Sequence, residues 1–231
     1  MIPGPVVSEP LVLGAIVGVS ALAIVVAVLI VRRLVDVRPR AETTVQSYLH
    51  AISSGDAASA NALFDPTSID RDAFPTATDR VGLMSDAALG AATERIGDVT
   101  VHRVTGATGS DAAVASVSFG LGGERHEKTI ILNWDGTAWR ITQGIWQLLQ
   151  VRPVFTGSGT TAENIAIRLG DARPDRPDLA FEGSFLAYPG VYPLEITAQG
   201  WMIEPGSSVP ETVTLAGGRA AVVRPRFIPL P

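Results

Sequence analysis

Three imidazoles, those of His50, His102 and His126, are the groups in this chain whose ordinary protonation lies nearest neutral pH. Scattered as they are, and with no Cys in 231 residues, they do not make a zinc spacing, and no metal site is expected. The absence of Cys also excludes a disulfide scaffold. Nucleophile and phosphate motifs fail as quickly: neither a Gly-x-Ser-x-Gly elbow nor a Gly-x-x-x-x-Gly-Lys loop occurs. Gly120, Gly122 and Gly123 suggest a dinucleotide loop, yet they lie between two strand-patterned runs, so a hairpin bend is expected instead. Tyr188, Tyr192 and Trp201 could form an aromatic ligand patch, but a small domain needs such side chains for its core. From residue types alone we expect no catalytic set, no metal and no cofactor, and the ligand-binding residues stay unknown.

Charge narrows the partners. Lys plus Arg total 18 against 23 Asp plus Glu, a net charge of −5. Nucleic-acid affinity comes largely from basic side chains on phosphates, so nucleic acid is not an expected partner.

The elements that would position these groups begin after an apolar run. Residues 11–31 read LVLGAIVGVSALAIVVAVLIV, with no charge and Ser20 as the sole polar side chain. As a helix it would be about 31 Å long, the thickness of a bilayer's hydrocarbon core, so a single-pass transmembrane helix is expected. Met1–Pro10 has no basic residue and the apolar run is long, which favours an uncleaved anchor over a signal peptide. Gly14 and Gly18 form a GxxxG pair that would let two such helices approach closely, so a homodimer joins the lipid bilayer among the partner expectations.

Beyond the basic linker 32–40, Val45, Tyr48, Leu49 and Ile52 fall at i, i+3, i+4 and i+7 and mark one face of an amphipathic helix. Gly55-Asp56 ends it, Ala57–Phe64 makes a second short helix and Asp86–Arg95 a third. Then the period changes to two. Ala113, Ala115, Val117, Phe119 and Leu121 line one face of a strand, and Ile130, Leu132 and Trp134 line another. Asp135-Gly136 is a hairpin signal leading into a strand at Trp139. The expected class is α+β: an N-terminal transmembrane helix, a helix-covered curved antiparallel sheet, then a small β-rich C-terminal domain.

This order, closing with Asn133-Trp134-Asp135-Gly136-Thr137-Ala138-Trp139-Arg140-Ile141, resembles the nuclear transport factor two-like (cystatin-like) superfamily over residues 40 to 150. It is similar in particular to membrane-anchored bacterial modules of unknown function. The resemblance implies a cone-shaped pocket, in which enzymatic relatives use an Asp, or an Asp and a His, with a Tyr donor. Tyr48, His50, Asp56, Asp65, His102 and His126 supply these types, but none sits in a matching catalytic pattern. His126 and Lys128 share parity with Ile130, so one of them could point into the cone.

From Val151 onward Pro punctuates short apolar pieces. Strands are expected at 154–156, 165–169, 191–197, 212–215 and 220–224, with Ala216-Gly217-Gly218 as a hairpin turn. Tyr188-Pro189-Gly190-Val191-Tyr192 resembles a strand opening of bacterial surface modules, and of actinobacterial membrane proteins, that delivers an aromatic into the core. The domains expected are 1–10 (tail), 11–31 (transmembrane helix), 32–40 (linker), 41–151 (the nuclear transport factor two-like module) and 152–231 (the β-rich domain).

Three functions stay open: a membrane-anchored non-catalytic module of the cell envelope binding a small ligand or protein partner, an enzyme using the cone, and an assembly component dimerising through its sheet. The first is the expectation adopted. Arg32, Arg33, Arg38 and Arg40 after the span favour a cytoplasmic body, whereas similar modules and the Pro-rich second domain favour the outside of the plasma membrane. The extracytoplasmic side is the expectation taken.

Overall fold

The computed structural model describes residues 40–65, 82–106, 110–156, 165–173 and 183–230, all within one compact unit that spans Pro39–Pro231. Its first helix, α1 (Ala41–Ser54), buries Val45, Tyr48, Leu49 and Ile52, the face the spacing marks out. Burying such side chains stabilises by about 1.5–3 kcal/mol each before conformational entropy is counted. Gly55 ends the helix with φ at 90°, and the amides of Gly55 and Asp56 return to the carbonyls of Ile52 and Ala51. Asp56 then caps α2 (Ala57–Ala62), accepting the amide of Ser59 at 2.8 Å. Ser85 caps α3 (Asp86–Ala91) in the same way.

Strands follow: β1 (Glu94–Arg95), β2 (Gly97–Thr105), β3 (Ala112–Leu121), β4 (Glu124–Trp134), β5 (Trp139–Gln143), β6 (Gln147–Val151) and β7 (Val154–Phe155). The rest are β8 (Ile165–Leu169), β9 (Gly183–Ala187), β10 (Gly190–Ala198), β11 (Trp201–Ile203), β12 (Thr212–Leu215), β13 (Ala221–Val223) and β14 (Arg226–Pro229). β2, β3, β4 and β5 form an antiparallel sheet in that order. Gly122-Gly123, both at positive φ, turn β3 into β4 and set Phe119 opposite His126. Trp134 pairs with Trp139 across the Asp135-Gly136 turn, their rings edge to face at 5.6 Å.

β10 joins most of the remaining strands. Its first half pairs with β1 and β12, its second with β8 and β11. The partners change at Pro193 and Leu194, and Pro193 has no amide to offer a ladder. A third sheet runs β13-β6-β9, with β13 parallel to β6. Two apolar cores result. One gathers the helices and β3, β4 and β5 but takes in Leu186 and Tyr188; the other gathers the C-terminal strands but takes in Leu83 and Ala88.

This corrects the fold class expected from sequence. The chain is mainly β, with 51% of the described residues in strands and 17% in helices, so α+β does not describe it. The helices are short because Gly55-Asp56 and residues 63–64 end them. Leu63 and Phe64 leave the expected second helix to bond along β5, where the Leu63 carbonyl accepts the amide of Ile141 and Phe64 bridges it. The expected third helix stops at Ala91, and Glu94 and Arg95 pair with β10. Among the described residues no helix is long and apolar enough to cross a membrane; the expected transmembrane helix, 11–31, lies outside them. The expected 216–218 hairpin is also revised. A turn forms, but it parts its strands, β12 going to β10 and β13 to β6.

Candidate functional site

The inward face of the four-stranded sheet is filled. Ala113, Ala115, Val117, Phe119, Ile130, Leu132, Trp139 and Ile141 are buried against α1 and α2 in one cluster. Among the described residues the buried polar or charged side chains are those of Ser118 and Gln147; no carboxylate and no imidazole is buried. A general base held in a dry pocket needs such a group.

The candidate acid–base residues are dispersed. Tyr48 is a core residue whose hydroxyl accepts the amide of Ile145 at 3.3 Å, and burial pushes its phenol well above the ordinary range. His50 is exposed on α1. Asp56 is taken up as a helix cap, and the hydrogen bonds from Ser59 hold its carboxyl below the ordinary value. Asp65 is half-buried, and its amide donates to the Ile141 carbonyl at 2.9 Å. His126 lies against the Phe119 ring, at 5.6 Å between centroids, and its Nε2 reaches the Leu121 carbonyl at 3.2 Å, which makes that nitrogen the donor. Lys128 approaches Gly217 and Gly218 and does not enter a cone. Tyr188 and Tyr192 are buried, while Trp201 meets Phe155 edge to face at 4.9 Å, so the three aromatics make no common patch.

What the structure does bring together is a polar cluster on the outer face. His102 Nε2 stands 2.7 Å from Ser118 Oγ, and Arg125 Nη2 stands 2.6 Å from the same oxygen and 3.3 Å from Thr100 Oγ1. Arg125 can only donate. Ser118 therefore accepts from Arg125, while the direction of its bond with His102 follows the imidazole tautomer: a bare Nε2 accepts from Ser118 and a protonated one donates to it. The pair has the types of a nucleophile and its base, but Ser118 is 0% exposed and no acid bonds to His102 among the described residues. The alternation that turns Val117 and Phe119 inward leaves Ser118 on the opposite face, while no pattern in the sequence singles out Arg125. Counting back from the two-residue Gly122-Gly123 turn would have put Ser118 opposite Glu127, but the irregular pairing of β2 near His102 leaves no signal in the sequence.

Beside this cluster opens a cleft of about 330 Å³, lined by Glu94, Arg95, Asp98, Gly120, Glu124 and Arg125 among others. Glu94 is held by the amide of Gly122 at 2.6 Å, and Arg95 by the carbonyl of Ser53 at 3.2 Å. A second cleft, about 600 Å³, lies between residues 206–210 and the run from Val222 to Arg226. Both open to solvent; the first is mainly polar, and the second has a mixed polar and apolar lining.

No protein-family model and no curated protein matches the chain. One solved structure with a likeness is that of a minor pilin of the gram-positive pathogen Streptococcus agalactiae, at 14% identity and a TM-score of 0.29. The likeness covers 51% of this chain and 60% of the pilin chain, and at that score it carries no argument.

Proposed function

We propose that the chain is a non-catalytic binding module of the cell envelope, attached to the membrane through residues 11–31 and meeting a protein partner or small ligand at its surface clefts. The observation that carries this reading is the filled inner face of the β2–β5 sheet, from Ala113 to Ile141, beside clefts that open to solvent. The uncharged run 11–31 supports the attachment. Kinship of residues 41–151 with nuclear transport factor two-like modules belongs to the same proposal, supported by the Trp134–Trp139 hairpin and the Gly55-Asp56 junction. Dimerisation through the sheet is less favoured, because its outer face carries Thr100, His102, Arg103, Ser116, Glu127 and Thr129.

The test is the distribution of the full chain in cells. It is expected in the membrane pellet after an alkaline carbonate wash, with its body cleaved by protease added to intact cells. Release by carbonate would overturn the attachment, and full protection from protease would overturn the extracytoplasmic side.

A further inference from the structure

The second cleft lies along β13, which the turn at 216–220 parts from β12. β12 leaves for β10, and β13 becomes the edge of the β13-β6-β9 sheet. The orientation of that edge follows from two bonds. The carbonyls of Val223 and Pro225 accept the amides of Arg152 and Val154, each 2.8 Å, so these two residues point their backbone toward β6 and β7. In an extended strand alternate residues point to opposite edges, so Val222 and Arg224 turn their N–H and C=O groups the other way, toward the cleft. Next along, the chain closes again: Arg226 gives its amide to Ser207 Oγ at 3.0 Å and its carbonyl to the amide of Glu204 at 2.8 Å.

Side chains agree with backbone. Val222 and Arg224 share a face, two positions apart, and both are exposed, Val222 at 44%. Arg226 is paired with Glu204 at 2.9 Å, whereas Arg224 has no hydrogen-bond or ion-pair partner among the described residues. Ser207 and Ser208 line the opposite wall. The site is held from behind by Gln147, whose side chain binds Ala216, Gly217 and Arg219.

We propose that the cleft between 206–210 and β13 takes an extended peptide from a partner protein, added as a strand along β13, with an acidic side chain against Arg224 and an apolar one, two positions away, against Val222. This rests on the binding-module reading and names the chemistry of its partner. The backbone groups of Val222 and Arg224 that turn toward the cleft select a strand over a small anion, and Arg224, unpaired among the described residues, selects acid over base. A net charge of −5 on the whole chain would by itself favour a basic peptide, so a preference for acid belongs to this site.

The test uses the full chain in detergent micelles and three probes: the end-blocked peptide Thr-Glu-Thr-Val-Thr-Glu-Thr, its counterpart with Lys for Glu, and inorganic phosphate. The acidic peptide is expected to bind about tenfold more tightly than the basic one and to slow amide exchange at Val222 and Arg224. Arg224→Glu is expected to reverse the preference without changing the melting temperature. Equal affinity for both peptides, absence of binding, no protection of those amides, or phosphate displacing the peptide from them would each overturn the proposal. Membrane attachment without peptide binding sinks this inference alone, and peptide binding without attachment sinks the localisation alone.

Discussion

Tyr188 donates its hydroxyl to Asn61 Oδ1 at 2.6 Å, across 127 positions of sequence. Asn61 lies near the end of α2 and Tyr188 in the link between β9 and β10, so this bond fastens that link to the helices of the first apolar core. Its neighbours extend the tie. The Tyr192 hydroxyl donates to the Tyr188 carbonyl at 2.8 Å, and the Tyr48 and Tyr188 rings meet edge to face at 6.1 Å.

Removing one hydroxyl at a time should rank these bonds. Tyr188→Phe takes away a donor and leaves Asn61 its other bond, to the Met84 carbonyl, so a loss of about 1 kcal/mol is expected. Tyr48→Phe strands a buried amide, that of Ile145, and should cost more, about 1–3 kcal/mol. Urea unfolding of both variants checks the order; equal losses would show that the Ile145 amide finds another acceptor.

The chain's three tyrosines are Tyr48, Tyr188 and Tyr192, and all are buried. Burial raises each phenol above its ordinary value of 10.0; Tyr48 and Tyr192 add to the rise at Tyr188. A raised folded value means that the folded state keeps protons the unfolded chain gives up. The stabilisation is whole below about pH 10 and is lost as pH climbs above it, by up to about 1.4 kcal/mol per unit for each phenol. Phenolate absorbance is therefore expected to appear together with loss of near-ultraviolet dichroism, in one transition. A gradual rise near pH 10 with the dichroism intact would contradict the buried placement of these rings.

Gln147 is a clamp with three contacts. Its Oε1 accepts the amides of Ala216 at 2.5 Å and Gly217 at 2.9 Å, and its Nε2 donates to the Arg219 carbonyl at 2.6 Å. Gln147→Glu keeps the acceptor and sets a carboxylate against that carbonyl, so a loss of about 1–3 kcal/mol is expected. Amide exchange at 216–223 should quicken more than elsewhere. Uniform quickening would mean that the side chain stabilises the whole fold and not this turn.

Much of the local structure was legible because local pattern sets it. Alternation through Ala113–Leu121 and Ile130–Trp134 gave β3 and β4, and the glycine and Asp135-Gly136 turns gave their register. Partnership was not legible. Nothing near Gly217 says that β12 and β13 go to different sheets, since the turn between them is held by Gln147, about seventy residues earlier. Likewise Glu94 and Arg95 read as the end of a helix, and only Val191 and Gly190, nearly a hundred residues on, make them a strand. The outer-face cluster was half visible: alternation put Ser118 outside, and the irregular β2 pairing that swings His102 onto it was hidden.

That cluster supplies the sharpest test of the non-catalytic reading. A fluorophosphonate probe labels a serine only when its oxygen is reachable, its proton is taken by a base, and an acid behind the base steadies the resulting imidazolium. Ser118 has an imidazole within reach, His102 at 2.7 Å, but lacks exposure, and the Arg125 guanidinium, donating to the same oxygen at 2.6 Å, makes it a poorer nucleophile. No labelling is expected at neutral pH. Ser118→Ala should lower stability by about 1 kcal/mol, because Arg125 and His102 lose their shared partner. Arg125→Ala should uncover the hydroxyl and still give no labelling, since His102 has no acid behind it among the described residues. Labelling mapped to Ser118 in the unaltered chain would overturn the non-catalytic reading, and labelling confined to Arg125→Ala would show that Arg125 alone had kept a competent pair silent.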